Sequence, residues 1–223
     1  MSGESRPRWP HHKRPDARQL LADGPVCFDT MILTGLVQAN RTQLLFESMA
    51  TRARIVPRVA GELRGHARGN AAIAAVIPPP AGTPRARTSF GEMVTLTREE
   101  AQKASDFQRA WNGQAVIAAD ARTDRGEAEC VAVCMERKWP LISQDHHAVG
   151  PPERRRQFVF GLPELLMLFA AENRCLSTSA WAIYQAIVDA TVELTCQYWP
   201  CDDESKRTFA DCCEVMAGSS RAA

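Results

Sequence analysis

Apolar positions along this chain alternate between two spacings. A short continuous run at Val26, Cys27 and Phe28, inside "VCFDT", predicts a strand of β-branched and aromatic residues. In "LTGLVQANRTQLLFESMAT" Leu36, Leu44, Leu45 and Met49 then recur at helical spacing. "ARIVP" (53–57) is a second short apolar strand, and "RVAGELRGHARGNAAIAAVI" returns to a helical pattern weakened by its glycines. "LTREEAQKASDFQRAWN" predicts a helix opened by a capping box, with Thr97 three residues before Glu100. "GEAECVAVCMERK" predicts another, with Ala128, Val131, Ala132 and Met135 on one side. "WPLISQD" and "RQFVFG" read as strands, and a helix follows from Pro163, a residue suited to a first helical turn. A last helix covers "STSAWAIYQAIVDATVEL".

Strands alternating with helices predict an α/β fold with a mainly parallel central sheet. Residues 78–95, "PPPAGTPRARTSFGEMVT", hold too much proline to prolong a helix and read as a loop or small insertion. In parallel sheets ligands bind beyond the carboxyl ends of the strands. Asp29 and Asp145 each stand at the end of a predicted strand, which would bring two carboxylates far apart in sequence to one rim.

Composition adjusts this picture at the chain's ends. With 223 residues, 45% of them hydrophobic, the chain suits one globular domain with attachments. A net charge of +1 does not by itself point to nucleic acid or membrane. Residues 1–22 contain "SRPRWPHHKRPDAR", basic, proline-rich and without an apolar core segment, and predict a disordered arm. No hydrophobic stretch follows it, so a secretory signal is not expected. The longest apolar run, "GLPELLMLFAA", is too short to span a membrane and carries Pro163 and Glu164, so a soluble, cytoplasmic protein is expected.

Eight cysteines are present. Cys27, Cys130, Cys134 and Cys175 fall inside apolar patterns and read as small core hydrophobes. Cys196, Cys201, Cys212 and Cys213 crowd the tail, where reduced thiols are the expectation; a zinc site there would lack the paired CxxC spacing.

The acidic residues carry the candidate chemistry. Asp29 sits in an apolar run, where an ionised carboxylate is costly unless paired, hydrogen-bonded or holding a metal. It could equally cap the following helix. Glu62 lies early in the helix after "ARIVP", and Glu127 opens "GEAECVAVC". Asp124, three residues before Glu127, could be a helix cap with Glu127 as its capping-box partner. Glu129 should point elsewhere and be solvated. Asp145 could be a turn residue.

Taken together, the acids fall where one pocket would form. Clustered carboxylates repel, and hard oxygen donors suit magnesium or manganese. Such ions activate water and stabilise the charge of a phosphoryl transition state, so metal-dependent phosphodiester hydrolysis is the chemistry inferred.

The ordered motifs "VCFDT … VAGEL … DRGEAECVAVCMERKWPLISQD" resemble the PIN-domain nucleases, particularly the toxins of bacterial toxin–antitoxin pairs. The resemblance spans about residues 25–165. It implies a Rossmann-like α/β/α sandwich, placed over residues 23–175; residues 176–223 read separately as a helical C-terminal extension and cysteine-rich tail. It also implies Mg2+ or Mn2+ held by Asp29, Glu62, Glu127 and Asp145, with Asp124 as an alternative ligand. Thr30 and Ser143 fit as hydroxyls that orient the carboxylates. The implied partners are an RNA substrate, a protein antitoxin and a second copy of the chain. Met31 stands where the family commonly has Asn or Ser, and neither the 78–95 insertion nor the chain beyond about residue 175 belongs to the family's core pattern.

Other polar features read more plainly. His146 and His147 are expected to be solvated, with phosphate contact as the second reading. The "ERRR" run at 153–156, with Arg52, Arg54, Arg58, Arg64 and Arg68, could rim a phosphate backbone, though any single arginine reads first as a solvated face. Trp111 and Trp139 read as core or partner-facing. Two readings compete with an endoribonuclease: a nuclease for DNA or structured nucleic acid in phage defence or repair, and a catalytically inactive PIN-like binding module.

Overall fold

The computed structural model describes residues 22–83, 89–112, 124–145, 148, 158–190 and 201–220. The basic arm up to residue 21, His146 and His147, the 153–156 run and Cys196 lie outside the described residues. Strand β1 (Val26–Phe28) leads through Asp29 into helix α1 (Thr30–Gln38). The long helix expected next is two helices. The chain turns at Asn40, whose φ is 55°, and α2 (Thr42–Met49) starts afresh. Asparagine accepts the left-handed conformation more readily than most residues, so helical spacing alone could not reveal the break.

Strand β2 (Ala53–Ile55) follows, then α3 (Pro57–His66) and α4 (Ala71–Ala75). Here too one expected helix is split. Gly69 takes φ 81°, and Asn70 Oδ1 caps α4 by accepting from the N–H groups of Ala72 and Ile73 at 3.1 and 3.2 Å. The segment read as a loop contains a short strand, β3 (Glu92–Met93). Gly91, just before it, has φ 65°, and a Cβ there would stand 3.1 Å from the Ala53 carbonyl oxygen, so glycine is needed for that approach.

Helices α5 (Arg98–Asn112) and α6 (Arg125–Arg137) precede β4 (Leu141–Ile142) and β5 (Val159–Phe160). The capping box expected for α5 is present: Thr97 N–H donates to Glu100 Oε2 at 2.8 Å, and Glu100 N–H donates to Thr97 Oγ1 at 3.2 Å. The chain closes with α7 (Leu162–Ala171), α8 (Ser177–Ala190) and α9 (Asp203–Ser220). Helix α9 has no counterpart among the expected helices.

The five strands form one all-parallel sheet in the order β3-β2-β1-β4-β5. Cys27 pairs with Arg54 on one side and Leu141 on the other. The order reverses between β1 and β4, and in doubly wound sheets the crevice at the carboxyl ends of such a pair is where ligands bind. Helices α3 and α6 both pass their amino ends to that edge, because α3 leaves β2 and α6 returns to β4.

The larger of two apolar clusters among the described residues runs from β1 to α9, taking in Phe28, Leu33, Leu45, Phe160, Tyr184, Phe209 and Met216. Each such side chain contributes about 1.5–3 kcal/mol when fully buried, so this cluster is the main source of stability. Ile187 of α8 packs on α1 so closely that a Cβ at Gly35 would lie 3.2 Å from its Cγ2. Cys27, Cys130 and Cys134 are fully buried, as expected of small core hydrophobes, and Cys175 is half-buried. Met135, expected on the apolar side of α6, is instead 36% exposed. Nearly every other residue from 126 to 134 is inside, so α6 does not have one apolar face. Trp111 stacks on Phe107 with ring centroids 5.8 Å apart, and Trp139 receives the Arg137 guanidinium at 4.9 Å; both are half-buried against the core. Among the described residues no helix is long and apolar enough to cross a membrane.

Candidate active site

Asp29 follows the last residue of β1 and is the N-cap of α1, with φ −85° and ψ 155°. The capping reading therefore holds, but it occupies only one oxygen: Oδ1 accepts from Thr30 N–H at 2.6 Å. Oδ2 accepts from the Ser143 hydroxyl at 3.1 Å, across the β1–β4 junction. Ser143 Oγ in turn accepts from the backbone N–H of Asp145 at 3.1 Å, so one hydroxyl ties the two strand ends together. Asp29 is only 2% exposed.

Glu62 reaches the same edge from α3. Its Oε2 accepts from the Thr30 hydroxyl at 2.6 Å, and its Oε1 faces Arg58 Nε at 3.3 Å. Thr30 thus orients Glu62 through its hydroxyl and Asp29 through its N–H. The Glu62 carboxylate lies against the start of α6: a Cβ on Gly126 would stand 3.0 and 3.1 Å from its two oxygens. A side chain there would make the carboxylate give way by a few tenths of an ångström.

Glu127 is half-buried beside this group. Burial, followed by the charges of Asp29, Asp145 and Asp124, pushes its carboxyl up to about 9. Burial and then the Asp145 charge push Asp29 up to about 7, with a smaller push from Glu62. Asp29 therefore lies within electrostatic reach of Asp145, Glu62 and Glu127, and Glu127 within reach of Asp145 and Asp124 as well. Among the described residues, no three carboxylate, imidazole or thiol groups close round a point as a ready cage for an ion.

Two acids differ from their sequence reading. Asp124 does not form a capping box with Glu127: its backbone is left-handed, with φ 55°, and its side chain makes no capping hydrogen bond. Glu129, expected to be solvated, is buried. It does point away from Glu127, but toward α3 rather than water. Its Oε2 accepts from Arg58 N–H at 3.0 Å, capping the amino end of α3, where Val56 supplies no side-chain cap. Its Oε1 takes Arg125 Nε at 3.1 Å, and Arg125 Nη1 donates onward to Ser105 Oγ at 2.8 Å. Glu129 and Arg125 thus brace α3, α5 and α6 behind the acids. The signal available in the sequence was the i, i+4 spacing of Arg125 and Glu129.

Carboxylate oxygens that raise one another's proton affinity suit a hard divalent cation, which would relieve both the repulsion and the burial cost. Comparisons with protein-family models, with curated proteins and with solved structures find no match.

Proposed function

We propose that this protein is a metal-dependent phosphodiesterase of the PIN-like type, acting as an endoribonuclease. The observation that carries the reading is the meeting of Asp29 and Asp145 at the carboxyl ends of β1 and β4, with Glu127 driven up beside them. Asp29, Glu127 and Asp145 would hold Mg2+ or Mn2+, with Glu62 near Asp29 and Asp124 near Glu127 as further donors. When bound, such an ion supplies Lewis-acid charge at the phosphoryl oxygens and a more acidic water.

The chain's own groups do the rest. Ser143 holds one oxygen of Asp29 and the backbone of Asp145, so both strand ends keep their direction. Thr30 orients the Glu62 carboxylate, and Gly126 leaves it room. Asp29 keeps its proton up to about pH 7 and Glu127 up to about 9, and both would have to give it up to hold a cation. RNA as substrate, a protein antitoxin and a cytoplasmic setting follow from the resemblance of the ordered motifs to PIN-domain toxins.

The test is to incubate purified protein with mixed RNA and DNA in Mg2+, Mn2+ or EDTA. Cation-dependent RNA cleavage that Asp145→Asn abolishes is the expected result. Cleavage indifferent to EDTA, or full activity in that variant, would falsify the assignment.

A further inference from the structure

Helices α1 and α7 end in the same way. Asn40 and Asn173, with φ 55° and 56°, follow their last turns, and the next residue of each is an arginine. The N–H groups of Arg41 and Arg174 donate back to the carbonyls of Leu36 and Phe169, each at 2.8 Å. This closure fixes both arginine backbones at their helix ends. Both residues line one cavity of about 520 Å³, floored by Leu44 of α2 and Ile183 of α8. It lies at the other end of α1 from Asp29, and nine residues of helix span about 14 Å.

The charges in this cavity are unevenly matched. The Arg41 side chain has no hydrogen-bonded or ion-paired partner among the described residues. Its charge is felt at the half-buried Cys175 thiol, where it opposes the upward push of burial, so the guanidinium faces the cavity that Cys175 also lines. Arg174 Nε stands 3.7 Å from Glu172, a long and partly exposed pair that holds it weakly. Glu47 is the single acid among the lining residues, and Gln43 Nε2 donates to it at 2.6 Å.

We propose that this cavity binds a nucleoside monophosphate, with the phosphate between Arg41 and Arg174 and the base over Leu44 and Ile183. Guanidinium forks match phosphate oxygens in pairs, and their planes also stack on aromatic rings. The volume falls within the roughly 300–1,000 Å³ of small-molecule sites. Gln43 and Glu47 together offer both donor and acceptor atoms to the polar edge of a base. The site does not depend on the reading of the acids at the strand ends.

The experiment titrates adenosine monophosphate into the full-length protein by calorimetry, in EDTA so that no cation occupies the strand-end acids. Saturable binding below about 1 mM is expected, with inorganic phosphate and adenosine each at least about tenfold weaker. Arg41 and Arg174 are exposed, so their variants should fold. Arg41→Gln and Arg174→Gln should each weaken nucleotide binding about ten- to a hundredfold, the range for one charge-assisted partner. Arg41→Lys, which keeps the charge without the fork, should recover part of the loss. Bound nucleotide should also slow labelling of Cys175 by N-ethylmaleimide, read peptide by peptide by mass spectrometry, and leave the exposed Cys201 unchanged. Absence of saturable binding at 1 mM adenosine monophosphate would overturn the proposal. So would binding that both glutamine variants retain, or that leaves Cys175 labelling unaltered, because the nucleotide would then sit elsewhere. Inorganic phosphate binding as tightly as the nucleotide would leave only an anion site and refute the nucleotide assignment.

Discussion

Two buried carboxylates, Asp29 at the strand ends and Glu100 at the seam between α5 and α6, are each 2% exposed and yet behave oppositely. Glu100 accepts from Arg137 Nε at 2.6 Å and Nη2 at 2.8 Å, besides closing the cap of its own helix. Hydrogen bonding to Arg137 holds its carboxyl below the ordinary range. Asp29 has a hydroxyl and an N–H for company, and its charged neighbours include Asp145 and Glu62; burial and those charges drive it up. The difference separates a structural acid from a candidate functional one. The seam carries its countercharge within the chain. At the strand ends the acids face one another, and taking up protons relieves the repulsion at Asp29 and Glu127.

The comparison is sharpened most strongly by removing charge at each place. Asp29→Asn should lower cation-dependent cleavage by roughly a hundred- to a thousandfold, the scale set by losing one preorganised electrostatic group. Its unfolding free energy in urea should hold or rise, because repulsion with Asp145 and Glu62 falls. Glu100→Gln should do the reverse. It leaves Arg137 without its anionic partner and should cost about 2–3 kcal/mol, lessened from the fully buried case because Arg137 reaches water. Activity per folded molecule should be unchanged. A destabilised Asp29→Asn together with a neutral Glu100→Gln would break the distinction.

The pH dependence of stability gives the next contrast. A carboxyl raised in the folded protein binds its proton more tightly there than in the unfolded chain. The stability this contributes is fully present below the ordinary values of 3.8 for Asp29 and 4.5 for Glu127, and is lost as pH rises through about 7 and about 9. The ion-free protein should therefore show a falling Tm between about pH 5 and pH 9, and Asp29→Asn or Glu127→Gln should flatten the slope. Added Mn2+ should recover Tm chiefly at the alkaline end. A Tm that rises with pH in EDTA, equally in all three proteins, would remove the electrostatic account of the site.

The smallest effect concerns Asp124. Its left-handed backbone and lack of a capping bond mean that Asp124→Asn should change stability by less than about 0.5 kcal/mol, since asparagine accepts that conformation. Glu127→Gln should lose activity through weaker cation binding, as measured by Mn2+ titration. Should Asp124→Asn weaken cation binding more than Glu127→Gln does, the two acids would exchange roles.

How much of this was legible depends on whether the cause was local. Strands β1, β2, β4 and β5 announce themselves as apolar runs, and the Thr97–Glu100 cap is written into four residues. The gathering of Asp29 and Asp145 followed from strand ends and a parallel sheet. Glu129 was illegible for another reason: periodicity tells which way a side chain points but not what lies there, and beyond α6 lies the bare amino end of α3. Strand β3 has two residues in a proline-rich stretch, held by its neighbour and by a glycine, with no pattern long enough to see. Helix α9 was different. Ser205, Phe209, Cys213 and Met216, all buried, are spaced by four, four and three, so the helical signal was present but masked by charges and cysteines.

The close seat of Ile187 on Gly35 has a practical bearing on how the gene can be cut. Helix α1, which Asp29 begins, rests on α8, while Trp181 of α8 packs on Phe209 of α9 with ring centroids 5.4 Å apart. A chain stopped at residue 175, the point where motif matching would place a minimal nuclease, would uncover α7, on which α8 and α9 both pack, and the stretch of α1 around Gly35. Expression of such a fragment should give inclusion bodies rather than a smaller enzyme. The shortest workable product should instead run through Met216, the last buried side chain of that stack.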